Sequence, residues 1–256
     1  MVPALMTRMY GSTDLFYDDN RTQYRPYQSL NFVDCHDGLC LYDLVAYNNE
    51  GQRSWNCISP GQSETSPAVA ALRKQQVKNF CTLLMLANGT PMFCAGDEFM
   101  RTQHGNDNPY NVDDPTVWLN WDLLVANQDI FRFFKLMIAF RKAHPSIGRS
   151  TFWNQQNPDV RWYGVGANTD QSDSSHSLAY SLRGAGLSDS DLYVMINAYW
   201  EALPFTIQEG QADDWHVAVE TSLPSPSDIF ASGNEPALTS LTYIVQPRSI
   251  VVLLRN

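Results

Sequence analysis

The sequence contains no apolar run approaching the ~18 residues that a membrane-spanning helix requires, and its opening residues lack the basic, apolar and cleavage-site succession of a secretory leader. Cysteines are few. Cys35, Cys40, Cys57, Cys81 and Cys94 make an odd number with no C-x-x-C pair. That pattern argues against a disulfide framework and against zinc ligation. The expectation is buried free thiols in a reducing compartment, with no metal site and no cofactor. Basic residues are also scarce: Lys plus Arg number 17 against 27 Asp plus Glu, for a net charge of −10. Such a chain repels a phosphate backbone, so neither nucleic acid nor membrane is an expected partner. A neutral polysaccharide is indifferent to that charge.

Against these absences stands a globular composition, 44% hydrophobic and 17% charged. Aromatic residues reach 12%, with seven Trp and twelve Tyr. Aromatic rings suit the C–H faces of sugars, although a large core with ordinary surface aromatics explains the number more simply.

The chain has two textures. Residues 1–146 alternate strand-like and helix-like segments. Ser29–Val33 reads as a strand running into Asp34-Cys-His-Asp-Gly38. A helix follows, with Ser66 as cap, Pro67 in the first turn and Gly89 at the stop. Val69, Leu72, Phe80, Leu83, Leu84 and Ala87 supply its apolar face. Thr90–Ala95 reads as a buried strand ending at Gly96-Asp97-Glu98, and a polar loop of roughly 28 residues succeeds it. A second helix spans Gln128–Ala143, with Ile130, Phe133, Phe134, Met137 and Ile138 inward. Strand, helix, strand, helix implies parallel strands with crossover helices. Residues 147–256 instead offer short strands broken by turn residues, at 160–163, 177–182, 192–197, 203–207, 215–219, 241–245 and 249–254. They predict an antiparallel sandwich. The polar run Asn168–Ser177 reads as disordered.

Two polar triplets, His36-Asp37-Gly38 and Gly96-Asp97-Glu98, therefore close successive parallel strands. Ligand sites of parallel α/β folds lie beyond the carboxyl ends of the strands. An acid at a strand end can equally cap a helix or staple a loop, so the triplets alone do not decide the chemistry.

The wider motifs do carry a resemblance. Asn31-Phe-Val-Asp-Cys-His-Asp-Gly38 with Asp43-Leu-Val-Ala-Tyr-Asn48 is similar to the seventh-strand motif of isoamylase-type glycogen and starch debranching enzymes, in the α-amylase superfamily of glycoside hydrolases. Ser54–Cys57 resembles the loop after it, and Gly89-Thr-Pro-Met92 with Ala95-Gly-Asp-Glu-Phe99 resembles the eighth strand. Arg101-Thr-Gln103, Gly105–Asn108 and Tyr110 resemble the substrate-side loop, with Trp118–Trp121 at its end. Tyr199–Leu203 and Pro247–Leu253 fit the β-sandwich of the same family. The resemblance implies an α/β plus all-β chain: the C-terminal part of a TIM (β/α)8 barrel (about two βα units) over residues 1–146, then an antiparallel β-sandwich domain over 147–256.

It implies hydrolysis of α-1,6 branches of glycogen, amylopectin or limit dextrin by a retaining mechanism. That mechanism takes two carboxyl groups about 5–5.5 Å apart, one the nucleophile and one the acid. A third carboxylate grips the distorted sugar. Asp37 matches this transition-state stabiliser, and His36 matches its hydrogen-bonding neighbour on the same sugar. Asp97 and Glu98 match positions that shape the floor of the site. Arg101, Asn106, Asn108 and Tyr110 fall toward substrate. The fourth-strand nucleophile motif and the fifth-strand acid have no match, so the expectation is a fragment whose N-terminal barrel portion is its partner, inactive alone and located in the cytoplasm or a plastid.

Some positions depart from the family pattern. Asp34 stands where Thr is expected and Met100 where Gly is expected. Asp107, Pro109 and Asn111 interrupt the usual substrate-loop pattern, and the Asn48–Ser54 loop is short. Two other readings remain open at this point. One is a non-catalytic, isoamylase-like glucan-binding or regulatory subunit. The other is an unrelated α/β enzyme using Asp97 and Glu98 as its acid pair, although neighbours on an extended strand face opposite ways.

Overall fold

The protein is described by a computed structural model covering residues 1–15, 24–152 and 159–255. It forms two compact units. The first comprises Met1–Asn31, Met85–Pro91 and Leu136–Asn256, and the second Phe32–Leu84 and Met92–Lys135. No helix among the described residues is long and apolar enough to cross a membrane.

The chain begins with α1 (Val2–Met9), a helix with Pro3 in its first turn that the sequence pattern did not single out. The two expected strands shrink to two residues each, β1 (Leu30–Asn31) and β2 (Thr90–Pro91). They pair in parallel, Leu30 opposite Thr90 and Asn31 opposite Pro91. Among the described residues each has only the other as a strand partner, and Leu30 is exposed. Between them lies α3 (Pro67–Leu86), where the capping signals placed a helix; the shorter α2 (Asp43–Ala46) precedes it. Val69 and Leu84 of the expected face are buried, while Leu72, Phe80 and Leu83 are half-buried. Much of the rest of α3 is buried as well, including Arg73, Lys78, Asn79 and Thr82.

The long polar loop ends in α4 (Asp122–Ala126) and α5 (Gln128–Ala143), the latter with the expected bounds. Ile130, Phe133, Phe134 and Met137 of α5 are buried and Ile138 is half-buried. Near its end, Arg141 donates to the carbonyls of Met85 (2.6 Å), Ala87 (2.8 Å) and Gly89 (2.5 Å). Met85 lies in the last turn of α3, where carbonyls lack intrahelical donors, and Ala87 and Gly89 follow the helix end. Burial lowers the Arg141 pKa to about 10. His144 follows α5, and its Nδ1 lies 2.7 Å from Asp189 Oδ1.

The remaining strands are β3 (Val160–Tyr163), β4 (Ser177–Leu182), β5 (Asp191–Asn197), β6 (Leu203–Thr206), β7 (Trp215–Glu220), β8 (Thr242–Val245) and β9 (Ser249–Arg255). An antiparallel sheet of order β3-β4-β5-β9-β7 is joined by the antiparallel pair β6-β8. Tyr193, Met195, Val251 and Leu253 alternate along β5 and β9 and meet Phe205 and Val245 of the pair in one apolar cluster around Trp215. Two sheets sharing one apolar layer make a sandwich. Strands β4, β5 and β9 are buried on both faces, so their sequences read as continuous apolar runs rather than alternating ones.

One local expectation changes. Asn168–Ser177 is a run of turns rather than a disordered segment, with Ser172 N donating to Asp170 Oδ1 (2.9 Å). Its last residue opens β4.

Candidate functional site

The site is built on loops of the second unit. His36 and Asp37 are strongly exposed, at 90% and 78% of their side chains, and His36 Nε2 lies 3.5 Å from Asp37 Oδ2. Asp37 lines a cavity of about 350 Å³ together with Phe32, Asp34, Leu39, Leu44, Gln52, Arg53 and Phe80. His36 is not part of that lining. At the next position Gly38 has φ +85°, and a Cβ there would sit 2.5 Å from Gln52 Oε1. Only glycine fits both the left-handed backbone and the space.

Asp43 organises what surrounds the pair. It is fully buried at the start of α2. One carboxylate oxygen accepts from the Thr102 hydroxyl, and the other accepts from Gln103 N (2.8 Å) and Gly105 N (3.1 Å). Buried Gln103 then donates its amide to Gly38 O (3.2 Å) and Asn106 O (2.8 Å), while Arg101 Nη2 donates to its Oε1 (2.8 Å). Gly38 N donates back to Asp107 O (3.0 Å), and Asn49 Nδ2 donates to Asp107 Oδ2 (2.9 Å). The loop after β2 is thereby stitched to the loop carrying His36 and Asp37. Gly105 closes the stitch: it has φ +78°, and a Cβ would come within 2.8 Å of the Tyr47 ring. Asp43 and Gln103 were legible as motif letters, but nothing in the sequence gave them this role. The signal available was a short-range acid at a helix start, which is common. Asp107, an interruption of the family pattern, has a local function as a loop tie.

The other anticipated residues fall in different places. Asn106 accepts from Asn108 N (3.0 Å), a turn that leaves Asn108 exposed. Tyr110 is 91% exposed, and Trp118 and Trp121 are also exposed, with Trp118 Nε1 donating to Asp113 Oδ1 (2.9 Å). Glu98 Oε2 accepts from Gly96 N (2.8 Å), a local staple within the turn after β2. Asp97 is the exception. Its side chain has no exposed surface, and Oδ2 accepts from Cys94 N (2.8 Å). Met100, where glycine was expected, has φ +63°, the left-handed backbone that favours glycine.

Behind these loops the structure assembles a group that the sequence did not suggest. Donor atoms of Asp34, Cys94 and Asp97 all lie within 4.8 Å of one another. Burial raises the pKa of both carboxyls, Asp97 to about 8 with the neighbouring Asp34 charge adding to it. Burial likewise raises the Cys94 thiol to about 11.

No protein-family model matches the chain. Curated relatives do. An isoamylase of Flavobacterium sp is 32% identical over 276 residues, covering 98% of this chain and 35% of that protein. The chloroplastic isoamylase 3 of Oryza sativa subsp. japonica is 35% identical over 269 residues, covering 99% of this chain and 33% of that protein. Among solved structures, the pullulanase of Paenibacillus barengoltzii in complex with maltohexaose and alpha-cyclodextrin superposes with a TM-score of 0.68 at 26% identity, covering 98% of this chain and 33% of that one. The chain thus spans about a third of the length of the curated relatives it matches. Over nearly its whole length it is similar to isoamylase-type debranching enzymes of the α-amylase superfamily.

Proposed function

We propose that this chain is a portion of a debranching glycoside hydrolase that cleaves α-1,6 branches of an α-glucan such as glycogen, amylopectin or limit dextrin. In this reading, residues 1–146 are the C-terminal part of a (β/α)8 barrel and residues 147–256 its β-sandwich domain. The parallel pairing of β1 and β2 around a crossover helix supports the barrel assignment. One observation carries the functional reading. Exposed Asp37 lines a cavity, with His36 3.5 Å from it, on a loop that Asp43 and Gln103 fasten to the loop after β2.

The roles follow from the chemistry. Asp37 is an accessible carboxylate, suited to hold sugar hydroxyls and to stabilise positive charge developing on the ring at the transition state. His36, 3.5 Å away, can donate to the same sugar. Asn106, Asn108 and Tyr110 offer amides and a ring to neighbouring glucose units. Arg101 and Glu98 serve the site by holding loop groups in place, as their hydrogen bonds to Gln103 and Gly96 indicate. The nucleophile and general acid of a retaining reaction are outside the residues assigned here, and the reaction proceeds in an assembly that provides them.

Reducing-end release from amylopectin, measured on the full chain together with a protein segment supplying those two carboxyls, tests the proposal. Asp37→Asn is expected to abolish release, while retention in a glycogen-containing native gel falls only in part. Full release by Asp37→Asn would overturn the assignment. Retention on glycogen, with no release under any combination, would favour a non-catalytic glucan-binding subunit.

A further inference from the structure

The buried group behind the site carries a charge that its surroundings do not balance. Asp97 is 0% exposed and Asp34 only 6%. Asp34 Oδ2 and Asp97 Oδ1 each lack a hydrogen-bond donor, although the two carboxyl groups lie within 4.8 Å of each other. Facing them are the Arg101 guanidinium, the Cys94 thiol and, farther off, the Cys40 thiol. Two carboxylates and one guanidinium leave a single net negative charge, and one proton cancels it. A divalent cation would instead leave the group net positive while Cys94 keeps its proton, which a thiol raised to about 11 does. Two ionised carboxylates side by side away from water are strongly disfavoured. A proton on either one turns the contact between two acceptors into a hydrogen bond.

We propose that Asp34 and Asp97 share one proton, and that the resulting O–H···O bridge ties the segment carrying His36 and Asp37 to the turn that follows β2. The pair is a positioning device for the exposed site. Asp34 is two residues before His36 in the chain, and Asp97 fixes the turn through Cys94 N. The Thr that the family pattern places at 34 could donate a hydroxyl proton without titrating, so the aspartate makes the tie depend on pH. The consequence for function rests on the reading of His36 and Asp37 as sugar-binding residues.

The sign follows from the raised folded-state pKa. In the folded chain Asp97 keeps its proton up to about pH 8, whereas in the unfolded chain it loses it in the ordinary carboxylate range. The stabilisation is therefore complete below that range and is lost as pH rises through about 8. Three measurements on the full chain test the bridge between about pH 6 and about pH 9: the thermal midpoint, protection of the amides of residues 35–38 against hydrogen exchange relative to the intrinsic rate at each pH, and affinity for maltohexaose. The wild type is expected to lose thermal stability across this range. Its 35–38 amides should exchange faster than those of Asp34→Asn at the same high pH, and its affinity for maltohexaose should fall several-fold. Asp34→Asn donates an amide N–H to ionised Asp97 and should flatten all three profiles. Asp34→Ala should exchange rapidly at every pH. A flat wild-type profile, an Asp34→Asn profile matching the wild type, or a drop in the wild-type midpoint on adding EDTA would each overturn the shared proton. Absence of maltohexaose binding at every pH, with the stability and exchange profiles as expected, would leave the bridge standing and remove the sugar-binding reading instead.

Discussion

The β-sandwich and the loop site are held together by different means. In the sandwich, seven strands of the described residues pair in antiparallel ladders, with one register shift between Val217 and Val219, and Tyr193, Phe205, Trp215 and Leu253 close on one another in a single apolar layer. Around His36 and Asp37 there is almost no regular structure. Order there comes from one buried carboxylate, one buried amide and two glycines with positive φ. Apolar burial is non-directional and spread over many side chains, whereas a polar staple is directional and concentrated in few. The first tolerates change gradually. The second should fail at single atoms and fail locally.

Four substitutions would break or sharpen that contrast. Phe205→Ala in the sandwich core should cost about 3–5 kcal/mol, read as a lower denaturation midpoint of the whole first unit. Asp43→Ala should cost about 3 kcal/mol, because Gln103 N, Gly105 N and the Thr102 hydroxyl lose their buried acceptor. Its signature is local: limited proteolysis should open near residues 102–107 while the sandwich amides keep their protection. Gly105→Ala should cost about 1–2 kcal/mol from the left-handed backbone alone. The clash with Tyr47 adds to that cost and should displace the loop, seen as weaker maltohexaose binding. Asp37→Ala should leave stability within about 0.5 kcal/mol, since the side chain is exposed, yet remove turnover in an assembled enzyme. A large loss of stability in Asp37→Ala, or a global loss in Asp43→Ala, would dissolve the distinction between the two regions.

The same contrast explains how much was legible in the sequence. Strands β3 and β4 and helix α5 have the bounds that their patterns predicted, and the other sandwich strands differ by a residue at an end. Those elements bury apolar side chains at a fixed period, and the period is written in the residue order. β1 and β2 were read as longer because Val33, Met92 and Phe93 look strand-like, but a strand's length is set by its neighbours. Trp200, within the Tyr199–Leu203 segment that fits the β-sandwich pattern, is 56% exposed, with its ring 3.9 Å from that of Tyr199. Residue type cannot say on which side of a turn a ring will lie.

Within the site, His36 and Asp37 could be singled out because motif and strand-end position agreed. Their support could not. Asp43 reaches Gln103 across 60 positions, and Asp34 meets Asp97 across two helices and a strand. The sequence by itself determined the two long helices and the sandwich strands, the order of the two textures and the isoamylase-type motifs, because periodicity and short-range spacing are local properties. Only the tertiary structure decided which carboxylate faces solvent, which is buried against another, and which loops are tied together. Those outcomes depend on through-space distance and on exclusion of water, and neither is a property of any short stretch of chain.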